Sequence, residues 1–499
     1  MNIKENIKSE EELKCLADKL LNEISNTEEI IISRFVNTVY DSVKFVEGKK
    51  SVNEIWMSNF NKENISRSLY TDISTNSYCL NSFEEIVVAR DLDPSRFNFD
   101  FKMESLPKYE KSFFDSVPDN IDYFDREFLE FSKSHLGAAC LREMAVQQKI
   151  VVNSAGGVCI QSIPFMKVSF FNGLPPLYSS RDVVVRCTTN DDVKNLPKLI
   201  KYFADPTPDR RVSSKTSFAE AFEELYTISN LKYATLEDAG IPIKGLYDVV
   251  VLSGFSAHEI FGHHFEEPIN FLNSSDSAPF KRDQIIDNKD IILTDDHMKT
   301  VEGFQVQGFT YFDAYGRQRP IRTHIKDGVV RDFLGSEYID SDNIKNYLNM
   351  AHSEFKGNAS QFTDGGFPQP RMSCTVLKGK SEAVDLEGKI LIVPSGGETS
   401  PKNHTYVVNS NECYIVRNGE PLRIMPLNMS GGINQAFANM VLLPEYTYSV
   451  GMCSKPEPIG YNFPAQVPVS QFTKNQLWQG QQIQPASISD VHKKILIEK

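Results

Sequence analysis

The sequence predicts an α+β protein: an N-terminal α/β region, then a mainly antiparallel β domain with one inserted helix. Three observations predict this class. Helical periodicity and short β-branched runs alternate in the first part of the chain. Strand-like runs between turn signals fill the second part, and one helix carrying several histidines interrupts it. Because 499 residues exceed one typical domain, we divide the chain into residues 1–235 and 236–499.

The N-terminal region opens with a predicted helix. Ser9 and Glu12 fit a capping box, in which each side chain bonds the other's backbone, and leucines at helical spacing follow. The mostly polar segment Phe203–Ser217, with two prolines, is the best candidate for a linker or lid. Further elements are expected as helices over roughly Tyr123–Gln148 and Phe218–Leu231, and as strands over Ile30–Ile32, Val151–Val152 and Asp182–Val185.

Strand signals dominate after about residue 240. Asp327-Gly328 and Asn418-Gly419 lie beside apolar or β-branched runs, which is the strongest short signal for a hairpin. This half is therefore predicted to be mainly antiparallel β. The expected strands are Tyr247–Leu252, Thr323–Ile325, Val329–Leu334, Lys389–Val393, Thr405–Val408 and Tyr414–Val416.

Composition excludes several classes of function. With 53 basic and 66 acidic residues the net charge is −13, which argues against a broad nucleic-acid surface. No apolar run approaches the length of a bilayer span, and the first residues lack the apolar core of a secretory signal. We expect a cytoplasmic protein without direct nucleic-acid or membrane binding. The 8 cysteines contain no CxxC pair, so neither a disulfide framework nor a zinc finger is predicted.

Candidate chemistry lies on the inserted helix, which Ser253 could cap and Pro268 would end. The helix carries His258, Glu259 and His263. Two imidazoles could converge on one metal ion, and a carboxylate beside them could take a proton from bound water. These residue types together predict a metal-dependent peptidase centre.

The spacing of the two histidines is unusual. In the familiar HExxH pattern they are four residues apart, whereas here Gly262 occupies that position and His263 follows it. On a regular helix a residue five positions on lies roughly 140° away, a poor angle for chelation. A π-bulge near Gly262 would return His263 to the face of His258. Structural interpretations stay open: Ser256 and Glu259 also fit a capping box, and His264 could be a surface residue with His263 in the core.

The sequence around this helix resembles the HExxxH element of the TldD/PmbA family of metallopeptidases. The resemblance covers roughly residues 240–475, and the N-terminal half is more divergent. The small residue usual after the second histidine is replaced by His264, and the acidic residue that follows is matched loosely by Glu266 or Glu267. Further segments resembling family motifs are Thr323–Gly328, Gly357–Ser360, Phe367–Thr375, Gly451–Ser454 and Val467–Val469.

The resemblance implies one Zn²⁺ per subunit, held by His258, His263 and Cys453, with Glu259 as general base. Without the resemblance, Cys453 would be interpreted as a buried apolar thiol. Three protein ligands would leave the fourth position of zinc for water. Substrate contacts are expected from Arg371, for which a structural salt bridge is an equal alternative, and less firmly from Asn358 and His404.

Because His, Glu, His and Cys are all retained, the chain resembles the catalytic TldD branch. The resemblance implies a peptidase that cuts flexible or unfolded peptides inside a homodimer, or a heterodimer with a related subunit. The N-terminal region would serve peptide access and assembly. The alternative is a non-catalytic peptide-binding or scaffolding subunit. A gyrase-associated role is disfavoured by the net charge of −13.

Overall fold

The structure is a computed structural model that describes most of the chain. The residues described are 3–24, 31–66, 69–74, 86–91, 108–173, 178–242, 245–254, 258, 262–266, 280–335, 357–360, 369–400, 403–455 and 465–486. Within these ranges no helix is long and apolar enough to cross a lipid bilayer.

The helices among the described residues are short. The predicted capping box opens the first of them, because Ser9 N donates to Glu12 Oε2 at 2.7 Å and Glu12 N donates to Ser9 Oγ at 3.2 Å. The α-helices are α1 (Glu10–Ile24), α2 (Asp125–Ser134), α3 (Asn190–Asn195), α4 (Phe218–Ser229), α5 (His263–Glu266) and α6 (Ile433–Ala438).

The first sheet has eight strands and is mostly antiparallel, in the order β4-β3-β2-β1-β6-β7-β5, with β8 paired to β7. Only the β5–β7 pairing is parallel among those described. The predicted α/β region therefore contains helices and strands, but its sheet is not the parallel kind that alternation favours. The strands are β1 (Ile31–Val46), β2 (Lys49–Ser66), β3 (Leu69–Ser74), β4 (Ile86–Asp91), β5 (Glu110–Phe114), β6 (Ala138–Asn153), β7 (Val158–Asn172) and β8 (Ser179–Arg186).

The predicted helix over Tyr123–Gln148 is wrong in its second half. Helix α2 ends at Ser134, and β6 then alternates buried and partly exposed side chains along most of its length. The segment is rich in Leu, Glu, Met, Ala and Gln, which favour helices as single residues. Strand β6 nevertheless pairs along its length with β1 and β7, and these pairings override local preference.

Among the described residues the second sheet has eleven strands and is mainly antiparallel, as predicted. Nine follow the order β14-β13-β10-β17-β23-β21-β19-β18-β9, while β20 pairs with β19 and β22 pairs with β23. Parallel pairings join β17 to β23 and β18 to β9. The strands of this half, two small ribbons included, are β9 (Leu246–Val251), β10 (Ile291–Asp295), β11 (Thr300–Val301), β12 (Phe304–Gln305), β13 (Arg322–Lys326), β14 (Val329–Val330), β15 (Ala359–Ser360), β16 (Gln369–Pro370), β17 (Cys374–Gly379), β18 (Ile390–Ser400), β19 (Thr405–Arg417), β20 (Glu420–Ile424), β21 (Leu427–Gly432), β22 (Met440–Lys455) and β23 (Ala465–Pro485).

Both predicted hairpins are confirmed. Asp327-Gly328 joins β13 to β14, and Asn418-Gly419 joins β19 to β20. All four turn residues have positive φ, between 53° and 77°, which is the conformation of a type I′ turn.

The two sheets share one apolar core. A single cluster of buried side chains contains Val39 and Phe170 of the first sheet together with Tyr414 and Leu477 of the second. Residues Phe203, Ala204 and Val212 belong to the same cluster, so the segment predicted as a linker or lid packs into the core. The ion pair between Arg181 of β8 and Glu412 of β19, 2.6 Å apart and buried, also joins the sheets.

Candidate metal centre

The candidate histidines follow strand β9. His258 N donates to the carbonyl of Gly254 at 3.1 Å, and His258 and Gly262 are both in π-helical conformation, with α5 beginning at the next residue. A π-helical turn bonds residues five apart, so residues at that spacing share a face. The conformation of these two residues agrees with the π-bulge predicted near Gly262. Residues 255–257, 259–261 and 267–268 of the predicted inserted helix, Glu259 among them, lie outside the described residues.

Glycine at position 262 allows close packing. A Cβ there would collide with Met372 Sδ and lie 3.3 Å from His258 Nδ1. A larger residue would therefore require the Met372 side chain to move.

Three predicted ligands converge. The ligand atoms of His258, His263 and Cys453 all lie within 4.8 Å of one another, and all three residues are buried. Cys453 Sγ is 3.4 Å from His263 Nε2. A tetrahedral zinc site, with bonds of about 2.3 Å to sulfur and about 2.05 Å to nitrogen, needs an S···N separation of about 3.6 Å. The residues therefore fit a metal with three protein ligands.

Each imidazole is oriented by a contact on its Nδ1 side. His258 Nδ1 lies 3.2 Å from Thr375 Oγ1, and His263 Nδ1 lies 2.9 Å from the carboxylate Oε2 of Glu266. A carboxylate only accepts, so His263 Nδ1 donates, and Nε2 is the nitrogen that faces the sulfur. Such contacts fix ring orientation and tautomer in metal sites.

The thiol of Cys453 differs from the other buried thiols. Burial raises its pKa, but the charges of His263, Arg371 and His258 lower it by more, so the pKa falls from 9.0 to about 5. Burial instead raises the pKa of both Cys374 and Cys413 to about 12. The lowered pKa of Cys453 favours the thiolate, which is the form that binds metals.

Arg371 is buried beside Cys453 and Glu266 rather than facing solvent. Its Nη2 donates to the carbonyl of Cys453 at 2.9 Å, and its Nε is 3.8 Å from Glu266 Oε1. The same Glu266 oxygen accepts a hydrogen bond from Met372 N. These contacts correspond to the salt-bridge alternative for Arg371, and its contact with substrate stays a prediction.

A second buried ion pair holds the segment that contains Arg371. Asp295 Oδ1 accepts from Ser373 N, Ser373 Oγ and Cys374 N at 2.7, 2.8 and 3.0 Å. Arg319 lies 3.3 Å from Asp295 Oδ2 and donates to the Arg371 carbonyl. Sequence reasoning gave no role to Asp295 or Arg319, because neither lies near the histidines in sequence.

The other residues singled out from the sequence occupy different places. Asn358 is buried, accepts from Arg322 Nε at 2.9 Å, and its carbonyl accepts from Arg371 N at 3.0 Å. His404 is partly exposed with a φ of 54°. A substrate contact by either stays a prediction.

His264 is fully buried, so the interpretation of His264 as a surface residue is wrong. Its Nε2 lies 3.0 Å from Thr399 Oγ1, and it is not among the three convergent ligands. Burial and the charges of His263 and His404 lower the pKa of His264 to about 3, so its ring is neutral.

A cavity of about 410 Å³ lies near the centre, although none of the three candidate ligands lines it. Met372 and Gly451 line one side, and Gly451 precedes Cys453 by two residues on β22. Glu143, Lys167 and Asp182 of the first sheet also line it. The volume lies within the range of small-molecule and cofactor sites, about 300–1,000 Å³.

The sequence matches known proteins mainly in its second half. Residues 244–460 match the family described as the PmbA/TldA metallopeptidase C-terminal domain. A protein of Archaeoglobus fulgidus named Metalloprotease is 27% identical over 231 residues, covering 44% of this chain. The chain spans only 50% of the length of that curated relative.

Similarity of fold to solved structures also covers the first half of the chain. The crystal structure of TldE from Thermococcus kodakarensis aligns with a TM-score of 0.56 at 12% identity, covering 94% of this chain and 100% of that one. Residues 244–460 therefore form a domain of the PmbA/TldD metallopeptidase family. A gyrase-modulator candidate of Thermotoga maritima shares the fold, with a TM-score of 0.52, 13% identity, and coverage of 94% of this chain and 100% of that chain. The matched family model describes a metallopeptidase domain, and the curated relative is named a metalloprotease.

Proposed function

We propose that this TldD/PmbA family member is a zinc-dependent peptidase of the HExxxH type that hydrolyses flexible or unfolded peptides. The observation that carries the proposal is the convergence of His258, His263 and Cys453 within 4.8 Å. Two nitrogens and one thiolate are a ligand set that suits zinc and leaves a position for water.

Each residue has a separate task in the proposed reaction. When bound, the metal would act as a Lewis acid, lowering the pKa of water and polarising the scissile carbonyl. His258, His263 and Cys453 would hold it, and the negative Cys453 sulfur would balance part of its charge. The Glu259 carboxylate would take the proton of the attacking water and pass it to the leaving amine. No covalent acyl-enzyme is needed.

The cavity gives the substrate a place beside these residues. Val450 and Gly451 of β22 line it, and the strand partner of β22 among the described residues is β23. A peptide in extended conformation would bond with its main chain along the other edge of β22, as in β-strand addition. That mode suits flexible peptides, because a folded segment cannot present its backbone.

The test combines metal analysis with proteolysis. The purified protein should contain one zinc per chain and should cut an unfolded peptide mixture, with cleavage lost in chelator and restored by added zinc. Fragments identified by mass spectrometry in the presence of excess chelator would contradict the proposal.

The competing proposal is a non-catalytic peptide-binding or scaffolding subunit. It draws on the fold shared with TldE, although a likeness at 12% identity establishes fold alone. It predicts peptide retention without cleavage even when zinc is bound, and no effect of replacing Glu259. We further propose that the chain acts as a homodimer or as a heterodimer with a related subunit.

A further inference from the structure

We propose that the segment Arg371–Thr375 positions all three candidate ligands at once, with Glu266 and Arg371 as its positioning residues. The inference rests on the proposed metal site. It assigns Arg371 to the support of the ligands rather than to the substrate.

The segment contacts each ligand by a different route. Its first residue, Arg371, donates to the carbonyl of Cys453 at 2.9 Å. Its last residue, Thr375, lies 3.2 Å from His258 Nδ1. Between them, Met372 N donates to Glu266, whose other oxygen accepts from His263 Nδ1 at 2.9 Å. Cys453 comes from a part of the chain far from the two histidines, so a common support would keep the separations of the three ligands fixed.

The segment Arg371–Thr375 is itself held in place by buried polar contacts. Asp295 accepts three hydrogen bonds from Ser373 and Cys374 within the segment, and Arg319 bonds the carbonyl of Arg371. Arg371 and Glu266 have side-chain exposures of 1% and 0%. Burying an ion pair is often no more stabilising than packing apolar groups there, so a pair kept here is better explained by the geometry it imposes.

Glu266→Gln tests the positioning role sharply. One Glu266 oxygen faces His263 Nδ1 and the other faces Met372 N, and both of these groups donate. Glutamine has the same shape but only one acceptor, so its NH₂ group must face one of the two donors. Either the His263 imidazole or the backbone of Met372 then loses its hydrogen-bond acceptor.

Arg371→Lys is the second variant. It keeps the positive charge but lacks the fork that reaches Cys453 and Glu266 together. If Arg371 binds substrate, Arg371→Lys should raise KM and leave zinc affinity unchanged. If Arg371 positions the ligands, the variant should bind zinc more weakly.

The measurement is zinc affinity by competition with a chromophoric chelator, together with the visible spectrum of the Co²⁺-loaded protein. Loss of an orienting contact typically costs 10–100-fold in metal affinity, and we expect a loss of about that size for both variants. The Co²⁺ bands should weaken or shift as the tetrahedral geometry is disturbed.

Glu412→Gln is the matched control, because it breaks a buried ion pair that contacts none of the candidate ligands, the one with Arg181, at 5% and 4% side-chain exposure. Denaturant unfolding in chelator should show that the control is destabilised while it keeps wild-type zinc affinity. Wild-type affinity in Glu266→Gln and Arg371→Lys, or an equal loss in the control, would overturn the inference.

Failure of the peptidase proposal can be told apart from failure of the positioning inference. If the wild-type protein binds zinc but cuts no peptide, the peptidase proposal fails while the affinity comparison still decides the positioning role. If the wild-type protein binds no zinc, both fail together.

Discussion

Replacing Cys453 by serine separates the proposed ligand from the other buried cysteines. Cys453 is 2% exposed, and its sulfur lies 3.4 Å from His263 Nε2. Serine keeps the size but presents a neutral hydroxyl at neutral pH, so a site of three protein ligands falls to two.

The magnitude follows from comparison with weaker perturbations. Loss of a contact to a ligand costs about 10–100-fold in affinity, so loss of the ligand itself should exceed about 100-fold, or about 2.8 kcal/mol. The metal-free protein should unfold at nearly the wild-type denaturant concentration, since the packing change is small.

Cys374→Ser and Cys413→Ser are controls that should behave in the opposite way. Both side chains are fully buried in the apolar clusters, so a hydroxyl there should cost up to about 1–3 kcal/mol of unfolding free energy. Neither sulfur belongs to the convergent group, and Cys374 contributes only its backbone N to the contacts of the segment Arg371–Thr375, so zinc affinity should be unchanged. Competition titration and urea unfolding measure both quantities for the three variants. Full zinc affinity in Cys453→Ser would refute its assignment as a ligand.

Four other predictions can be checked separately. Glu259→Gln should keep zinc but retain at most a few per cent of peptide cleavage, because a general base contributes about 10²–10⁴-fold to the rate. Wild-type cleavage by this variant, measured by mass spectrometry, would refute the mechanism. His264→Ala should retain zinc by elemental analysis, because His264 is not among the convergent ligands. Light scattering should show a dimer, and a stable monomer at micromolar concentration would count against it. Burial lowers the pKa of Lys149 from 10.5 to about 7, so the unfolded chain binds more protons than the folded chain between these pH values. The unfolding free energy of the wild type relative to Lys149→Met should therefore rise from pH 7 to pH 10. A difference that does not change with pH in denaturant titrations would contradict this.

Local sequence signals predicted the features that depend on neighbouring residues. The capping box at Ser9, the two hairpin turns and the π-helical turn near Gly262 follow from residues a few positions apart. The convergence of Cys453 with the histidines came from resemblance alone, since nothing near Cys453 in the sequence distinguishes it from other buried cysteines.

Features that depend on distant segments could not be predicted. Strand β6 has helix-favouring composition and is held extended by its two neighbours. Glu266 was noted in the sequence only as a loose match to an acidic residue of the family, and its link to Arg371 spans more than a hundred positions. No local pattern encodes that contact.

Strand β23 shows that the region of sequence similarity is not a unit that can fold alone. The family match ends at residue 460, whereas β23 begins at Ala465. Four strands, β9, β17, β21 and β22, hydrogen-bond to it, including the strand that carries Cys453. A fragment trimmed to the matched residues would leave those four strands with unsatisfied backbone groups. Truncations intended to isolate the metal centre must therefore retain the chain through Pro485.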